Sequence, residues 1–240
     1  MRLPDELDAA QLRAVLWDMD GTLVDTEPYW IVAEHELVAS FGGQWGHEQA
    51  MRLVGQALPT SAAILQEAGV ELEIREIIDR LTARVVEQLA QAVPWRPGAR
   101  DLLEALLAAG VECALVTMSE RPMVERIIAH LPAGAFSAVV TGDSVSHGKP
   151  HPEPYLTGLA RLAESLDGLD ASECVAIEDS QPGAASAIAA GLTTIVVPNT
   201  VALPPELGDE QWDTLAGRST DDVARVLERA TSTFVGQGRA

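Results

Sequence analysis

Two aspartates stand two residues apart in Trp17-Asp18-Met19-Asp20-Gly21-Thr22-Leu23-Val24-Asp25-Thr26-Glu27, where the short apolar run Ala14-Val15-Leu16-Trp17 gives way to a glycine-containing turn. A parallel sheet buries such runs on both faces and collects its chemistry beyond the carboxyl ends of its strands. Asp18 is thereby expected at the mouth of a site. The same stretch has a purely structural use, because Asp-Gly favours turns and an aspartate after a strand can bond its own backbone. Three later runs tip the balance. Glu112-Cys113-Ala114-Leu115-Val116 ends at Thr117, Ala138-Val139-Val140 leads through Thr141-Gly142-Asp143 to Lys149, and Cys174-Val175-Ala176-Ile177 ends at Glu178-Asp179-Ser180. Each delivers a hydroxyl, a cation or a carboxylate at its C-terminal end.

These groups suit phosphoryl transfer, which needs a nucleophile in line with the leaving oxygen, positive charge on the equatorial oxygens and a proton for the leaving group. Asp18 can attack phosphorus and form an aspartyl-phosphate. Asp20 can act as acid toward the leaving oxygen and then as base toward water. The Thr117 hydroxyl can hold a phosphoryl oxygen, and Lys149 supplies a compact charge. Carboxylates converging on a phosphate repel one another unless a hard cation lies between them, and oxygen ligands suit Mg²⁺. Glu178 and Asp179 have a second reading as caps of a helix beginning near Pro182.

In these motifs the chain resembles the haloacid dehalogenase-like superfamily, and within it the β-phosphoglucomutase-like phosphatases and phosphotransferases. Asp18-Met19-Asp20-Gly21-Thr22, Thr117, Lys149 in Gly148-Lys149-Pro150-His151-Pro152-Glu153-Pro154, and Glu178-Asp179-Ser180 are similar to its four motifs, in order. The resemblance covers about residues 12 to 200. It implies Mg²⁺ held by Asp18, the backbone carbonyl of Asp20, Glu178 and Asp179. It also implies a phosphate cradle at Met19, Gly21, Thr117, Met118 and Lys149.

Lys149 is the single lysine among 16 basic residues. An ammonium kept where the chain otherwise uses arginine points to a need for a point charge on a flexible stem. Prolines at 150, 152 and 154 predict an ordered loop entering a helix near Tyr155. Phosphonate-cleaving relatives use a cap lysine, which this chain lacks. Haloacid dehalogenases lack the second aspartate, which is present here as Asp20. Phosphate chemistry remains.

A parallel crossover needs a dozen or more residues, yet nearly a hundred separate Asp20 from Thr117. The excess predicts an inserted helical cap domain at 28–96, with helices over Tyr29–Ser40, Gln49–Leu53, Ser61–Gly69 and Leu72–Gln91. Residues 1–27 and 97–240 then form the catalytic core. The expected fold is α/β, a three-layer Rossmann-like sandwich with a mostly parallel sheet and the cap at its catalytic edge. Thr193–Val197 reads as a further strand, Asp221–Ala230 as a surface helix and the tail from Thr231 as loose.

Within the cap, Trp30, Arg52 and Gly55 are the candidates to face a substrate. By the resemblance, β-phosphoglucomutases carry a histidine where Trp30 stands, and a lysine and an arginine around Gly55 where this chain has Val54 and Leu58. A mutase needs a cation for the phosphate that is not transferred. Arg52 is the available substitute, though it also reads as a surface arginine on an amphipathic helix. The expectation is therefore a phosphatase acting on a small phosphomonoester, a sugar phosphate foremost, ahead of a sugar phosphomutase and of an inactive phospho-ligand-binding regulator.

With 36 acidic residues and a formal net charge of -20, the surface disfavours nucleic acid and anionic membrane as partners. The charge says nothing about the site, where Lys149 and the metal would set the local field, and the partner expected from the motifs is a small phosphorylated metabolite. Cys113 and Cys174, inside apolar runs, read as buried thiols. His35, His47, His130, His147 and His151 show no zinc spacing, with His147 and His151 placed near Lys149 in sequence only. No apolar leader or membrane-length run is present, so a cytoplasmic protein is expected. The oligomeric state is not legible, and a monomer is compatible with the sequence.

Overall fold

The computed structural model describes residues 11–54 and 56–237. Six parallel strands form one sheet: β1 (Ala14–Trp17), β2 (Glu112–Val116), β3 (Ala138–Val140), β4 (Cys174–Glu178), β5 (Thr193–Val196) and β6 (Glu210–Gln211), in the order β3-β2-β1-β4-β5-β6. Side chains alternate between the faces, as the two-residue strand period requires. Val15, Trp17, Cys113, Leu115, Val175 and Ile177 join one core with α5 (Ala99–Ala108), α6 (Arg121–Ile128) and α9 (Thr220–Gln237). Ala14, Leu16, Ala114, Val116 and Ala176 join the other with α7 (Glu153–Ala163) and α8 (Gln181–Ala189). All four residues of β1 are inaccessible to solvent, which explains its unbroken apolar run. Both cysteines are buried free thiols.

Between β1 and β2 the chain runs through α1 (Glu27–Ser40), α2 (His47–Ala50), α3 (Leu58–Glu67) and α4 (Ile74–Leu89) before reaching α5. Apolar residues at helical spacing on α4, Ile77, Ile78, Leu81, Val85 and Leu89, pack this insertion together and continue into the sheet core. Its two connections are tied to each other. Asp25 N–H donates to Pro94 O (2.8 Å) and Arg96 N–H to Leu23 O (3.0 Å), flanking an antiparallel bridge between Val24 and Trp95. Arg75 on α4 reaches Glu120 ahead of α6 (2.6 Å).

Three expectations change. The short helix expected over Gln49–Leu53 begins earlier, at His47, and gives way to turns through Val54. The tail from Thr231 is helical to Gln237, because α9 continues past the expected end at Ala230. The edge strand β6 was not foreseen, since its two half-buried polar residues carry no apolar run. Among the described residues no helix is long and apolar enough to cross a membrane.

Candidate active site

The sheet order sets β2 and β4 on either side of β1, with Trp17 level with Leu115 and Ile177. The next residues, Asp18, Val116 and Glu178, therefore end three adjacent strands at one height. Asp18 is held there by its N–H, which donates to Ile177 O (3.0 Å). Lys149 arrives from the loop after β3 and donates to Asp18 Oδ1 (2.7 Å), Glu178 Oε1 (2.5 Å) and Val116 O (2.9 Å). All three ammonium hydrogens are thus used, a trigonal demand that a planar guanidinium would not meet. Burial alone would lower the Lys149 pKa, but the Asp18 and Glu178 carboxylates outweigh it and raise it, keeping the side chain charged.

Tyr155, near the start of α7, donates to the same Glu178 Oε1 (2.6 Å) and is inaccessible to solvent. Burial first, and the Glu178 and Asp18 charges next, push its phenol well above its ordinary range. It serves as a neutral donor. Its apolar neighbours in sequence gave no hint of this role.

Asp20 sits in a separate cradle. Its Oδ1 accepts from Thr26 Oγ1 (2.5 Å), and its Oδ2 accepts from Ser119 Oγ (2.6 Å) and Thr117 Oγ1 (3.2 Å). Burial raises the Asp20 pKa against the lowering effect of the Ser119 and Thr26 hydrogen bonds, with the Asp18 charge adding to the rise. Thr117, expected to hold a phosphoryl oxygen, is here a partner of Asp20 and accepts from Ser119 N–H (3.0 Å). Ser119 and Thr26 escaped sequence reasoning. Their position two residues past Thr117 and six past Asp20 was the available signal.

The turn that follows Asp20 needs glycine. Gly21 has φ of 90°, and a Cβ there would lie 1.9 Å from Asp179 Oδ2. Met19 is buried under this turn, and its carbonyl accepts the N–H groups of Leu23 (2.9 Å) and Val24 (3.0 Å). Met118 lies beside Lys149, whose N–H meets its sulfur at 3.3 Å.

Asp18, Glu178 and Asp179 bring carboxylate oxygens within 4.8 Å of one another. Burial, then the charge of Asp18, raises the pKa of both Glu178 and Asp179, and Lys149 opposes the rise in each. Asp18 Oδ2 is buried with no hydrogen-bond partner. Three crowded acidic groups facing one ammonium, with an unsatisfied oxygen among them, are a donor set that fits a hard divalent cation. The Asp20 side chain is engaged by Thr26, Ser119 and Thr117 instead, leaving its backbone carbonyl as the group the resemblance assigns. The helix-cap reading of Glu178 and Asp179 gives way to Ser180, whose Oγ accepts from Gly183 N–H at the start of α8 (3.2 Å).

The cap candidates divide. Trp30 is half-buried on the first turn of α1, its N–H bonded to the carbonyl of Thr26 (3.2 Å), the residue whose hydroxyl holds Asp20. Arg52 lines a groove with Gln44, Trp45, Gln49, Ile64, Glu67 and Ala68, residues of the insertion alone. Gly55 lies outside the described residues. Glu27, unforeseen, begins α1 with its pKa raised to about 7 by burial and by the charges of Asp20 and Asp25.

Residues 15–197 match the sequence profile described as haloacid dehalogenase-like hydrolase. The chain belongs to this family. Hexitol phosphatase B of Escherichia coli (strain K12) is 29% identical over 199 residues, covering 78% of this chain and 84% of its own. A phosphorylated carbohydrates phosphatase of Thermotoga maritima is 32% identical over 189 residues, covering 77% and 84%. Among solved structures, a variant of CbbY from Rhodobacter sphaeroides in complex with xylulose-(1,5)bisphosphate superposes on the hydrolase with a TM-score of 0.77 at 28% identity, covering 86% of this chain and 96% of that one.

Proposed function

We propose that the hydrolase is a Mg²⁺-dependent phosphatase of small phosphomonoesters, sugar phosphates foremost, working through an aspartyl-phosphate on Asp18. The observation that carries this reading is the division of labour between the two aspartates: Asp18 keeps one buried oxygen without a partner, while Asp20 is held apart by three hydroxyls. A carboxylate oxygen of Asp18 attacks phosphorus, and the bond from phosphorus to the substrate oxygen breaks. Asp20, whose raised pKa favours the protonated form, gives its proton to that oxygen. In the second half Asp20 takes a proton from water as the water oxygen attacks phosphorus, releasing phosphate and restoring the Asp18 carboxylate.

Lys149 donates to Asp18 Oδ1 and orients the carboxylate for attack. Asp18, the Asp20 carbonyl, Glu178 and Asp179 would hold Mg²⁺, which neutralises charge on the phosphoryl oxygens when bound. Residues 28–96 would act as a cap over the site, hinged at the paired connections near Val24 and Trp95. Water as the final acceptor is favoured over a second sugar phosphate because Val54 and Leu58 offer no cation and the Arg52 groove is formed by the insertion alone. The phosphatase names of two relatives, and the sugar bisphosphate in the CbbY complex, support the substrate class.

Phosphate release from a panel of sugar phosphates, nucleotides and a chromogenic ester, with Mg²⁺ and with chelator, tests the reading. Mg²⁺-dependent release that is abolished in Asp18→Asn is expected. Isomerisation without phosphate release in the presence of a bisphosphate, or ligand binding without any turnover, would overturn it.

A further inference from the structure

The histidine pattern expected to lack zinc spacing changes meaning once the loop between β3 and α7 is folded. His147 and His151, which flank Lys149, turn their rings to the solvent side and bring them to 4.6 Å between centroids, tilted by 31°. Glu153 closes the group: its Oε2 lies 2.8 Å from His147 Nδ1 and 4.0 Å from His151 Nδ1. We propose that His147, His151 and Glu153 form a second metal site, for a zinc-class divalent transition ion, separate from the carboxylate cluster at Asp18.

The donor set and its spacing both point there. Two imidazoles and one carboxylate are the ligands that borderline cations prefer, whereas Mg²⁺ selects oxygens alone. A tetrahedral ion with bonds of roughly 2.0 Å holds its ligand atoms about 3.3 Å apart, midway between the two separations found here. All three ligand atoms already lie within 4.8 Å of one another. The carboxylate is fixed in advance, because Glu153 also accepts the N–H groups of Ser146 (2.7 Å) and His147 (3.0 Å). Binding replaces the proton that His147 Nδ1 shares with Oε2, and displaces the longer contact from Glu153 N–H to His151 Nδ1 (3.2 Å). The fourth position faces water. Such an ion clasps both ends of the loop that carries Lys149.

Untagged full-length protein in excess Mg²⁺, titrated with Co²⁺ and followed by visible absorption and by competition with Zn²⁺, tests the site. One ion per chain is expected, bound roughly tenfold or more weakly in His147→Ala and in His151→Ala. Affinity in Asp179→Asn, which alters the buried cluster, should stay at the wild-type value. Both exposed histidines tolerate truncation, and circular dichroism verifies the fold. No uptake in excess Mg²⁺, wild-type affinity in both histidine variants, or loss in Asp179→Asn would overturn the proposal.

Discussion

Glu34 is a buried carboxyl on α1, outside the site motifs, and its energetics can be worked through. It lies on α1 at 4% exposure and accepts one hydrogen bond, from Trp45 Nε1 (3.1 Å). Burial raises its pKa from 4.5 to about 7 against the lowering effect of the Trp45 bond, and the charge of Glu27 adds to the rise. A carboxyl whose folded pKa exceeds its unfolded one favours the fold fully below the unfolded value, and that contribution is lost as pH rises through the folded value. Wild type should therefore weaken between pH 5 and pH 8 relative to Glu34→Gln, which keeps an acceptor for Trp45 but cannot ionise. With 1.36 kcal/mol per pK unit, the difference in unfolding free energy between the two proteins should change by about 2.5 kcal/mol across that range. Urea denaturation at both pH values, with m-values compared, reads it directly. Parallel pH profiles for the two proteins, or a variant less stable than wild type at pH 8, would refute the reasoning.

Further consequences follow from the site. Lys149→Met leaves Asp18 and Glu178 buried without their cation, so turnover should vanish and unfolding in chelator should cost about 3 kcal/mol less than for wild type, measured by urea titration. Ser119→Ala removes the shorter of the two hydroxyl contacts on Asp20 Oδ2; kcat should fall by about tenfold while the fold, followed by circular dichroism, stays intact. Gly21→Ala places a methyl 1.9 Å from Asp179 Oδ2 at a φ of 90°, and a loss of Mg²⁺ affinity of at least about tenfold is expected by calorimetry.

Much of the site was legible because its groups sit where strands end. Asp18, Glu178 and Thr117 each follow an apolar run, and a parallel sheet with β1 between β2 and β4 brings them together. Lys149 was legible from its isolation among arginines. The hydroxyls of Ser119 and Thr26 were not, because serines and threonines are too common for position alone to mark them. Tyr155 was named only as the start of a helix, since nothing local tells a packing aromatic from one bonded to a buried carboxylate. The histidines failed for a different reason. His147 and His151 are separated by a loop whose path has no sequence period, and only the folded chain shows that Glu153 pulls their rings together. The length of α9 was missed where Val223, Val226 and Leu227 give way to threonines and serine that the helix still accommodates.

The central claim is a covalent phosphoryl group on Asp18. Acid quenching during steady-state turnover of a sugar phosphate, followed by borohydride reduction and peptide mass spectrometry, tests it most directly, because reduction converts a phosphorylated aspartate to homoserine. The account predicts homoserine at Asp18 and nowhere else. Turnover with Asp18 unmodified, or homoserine at Asp20, would contradict it.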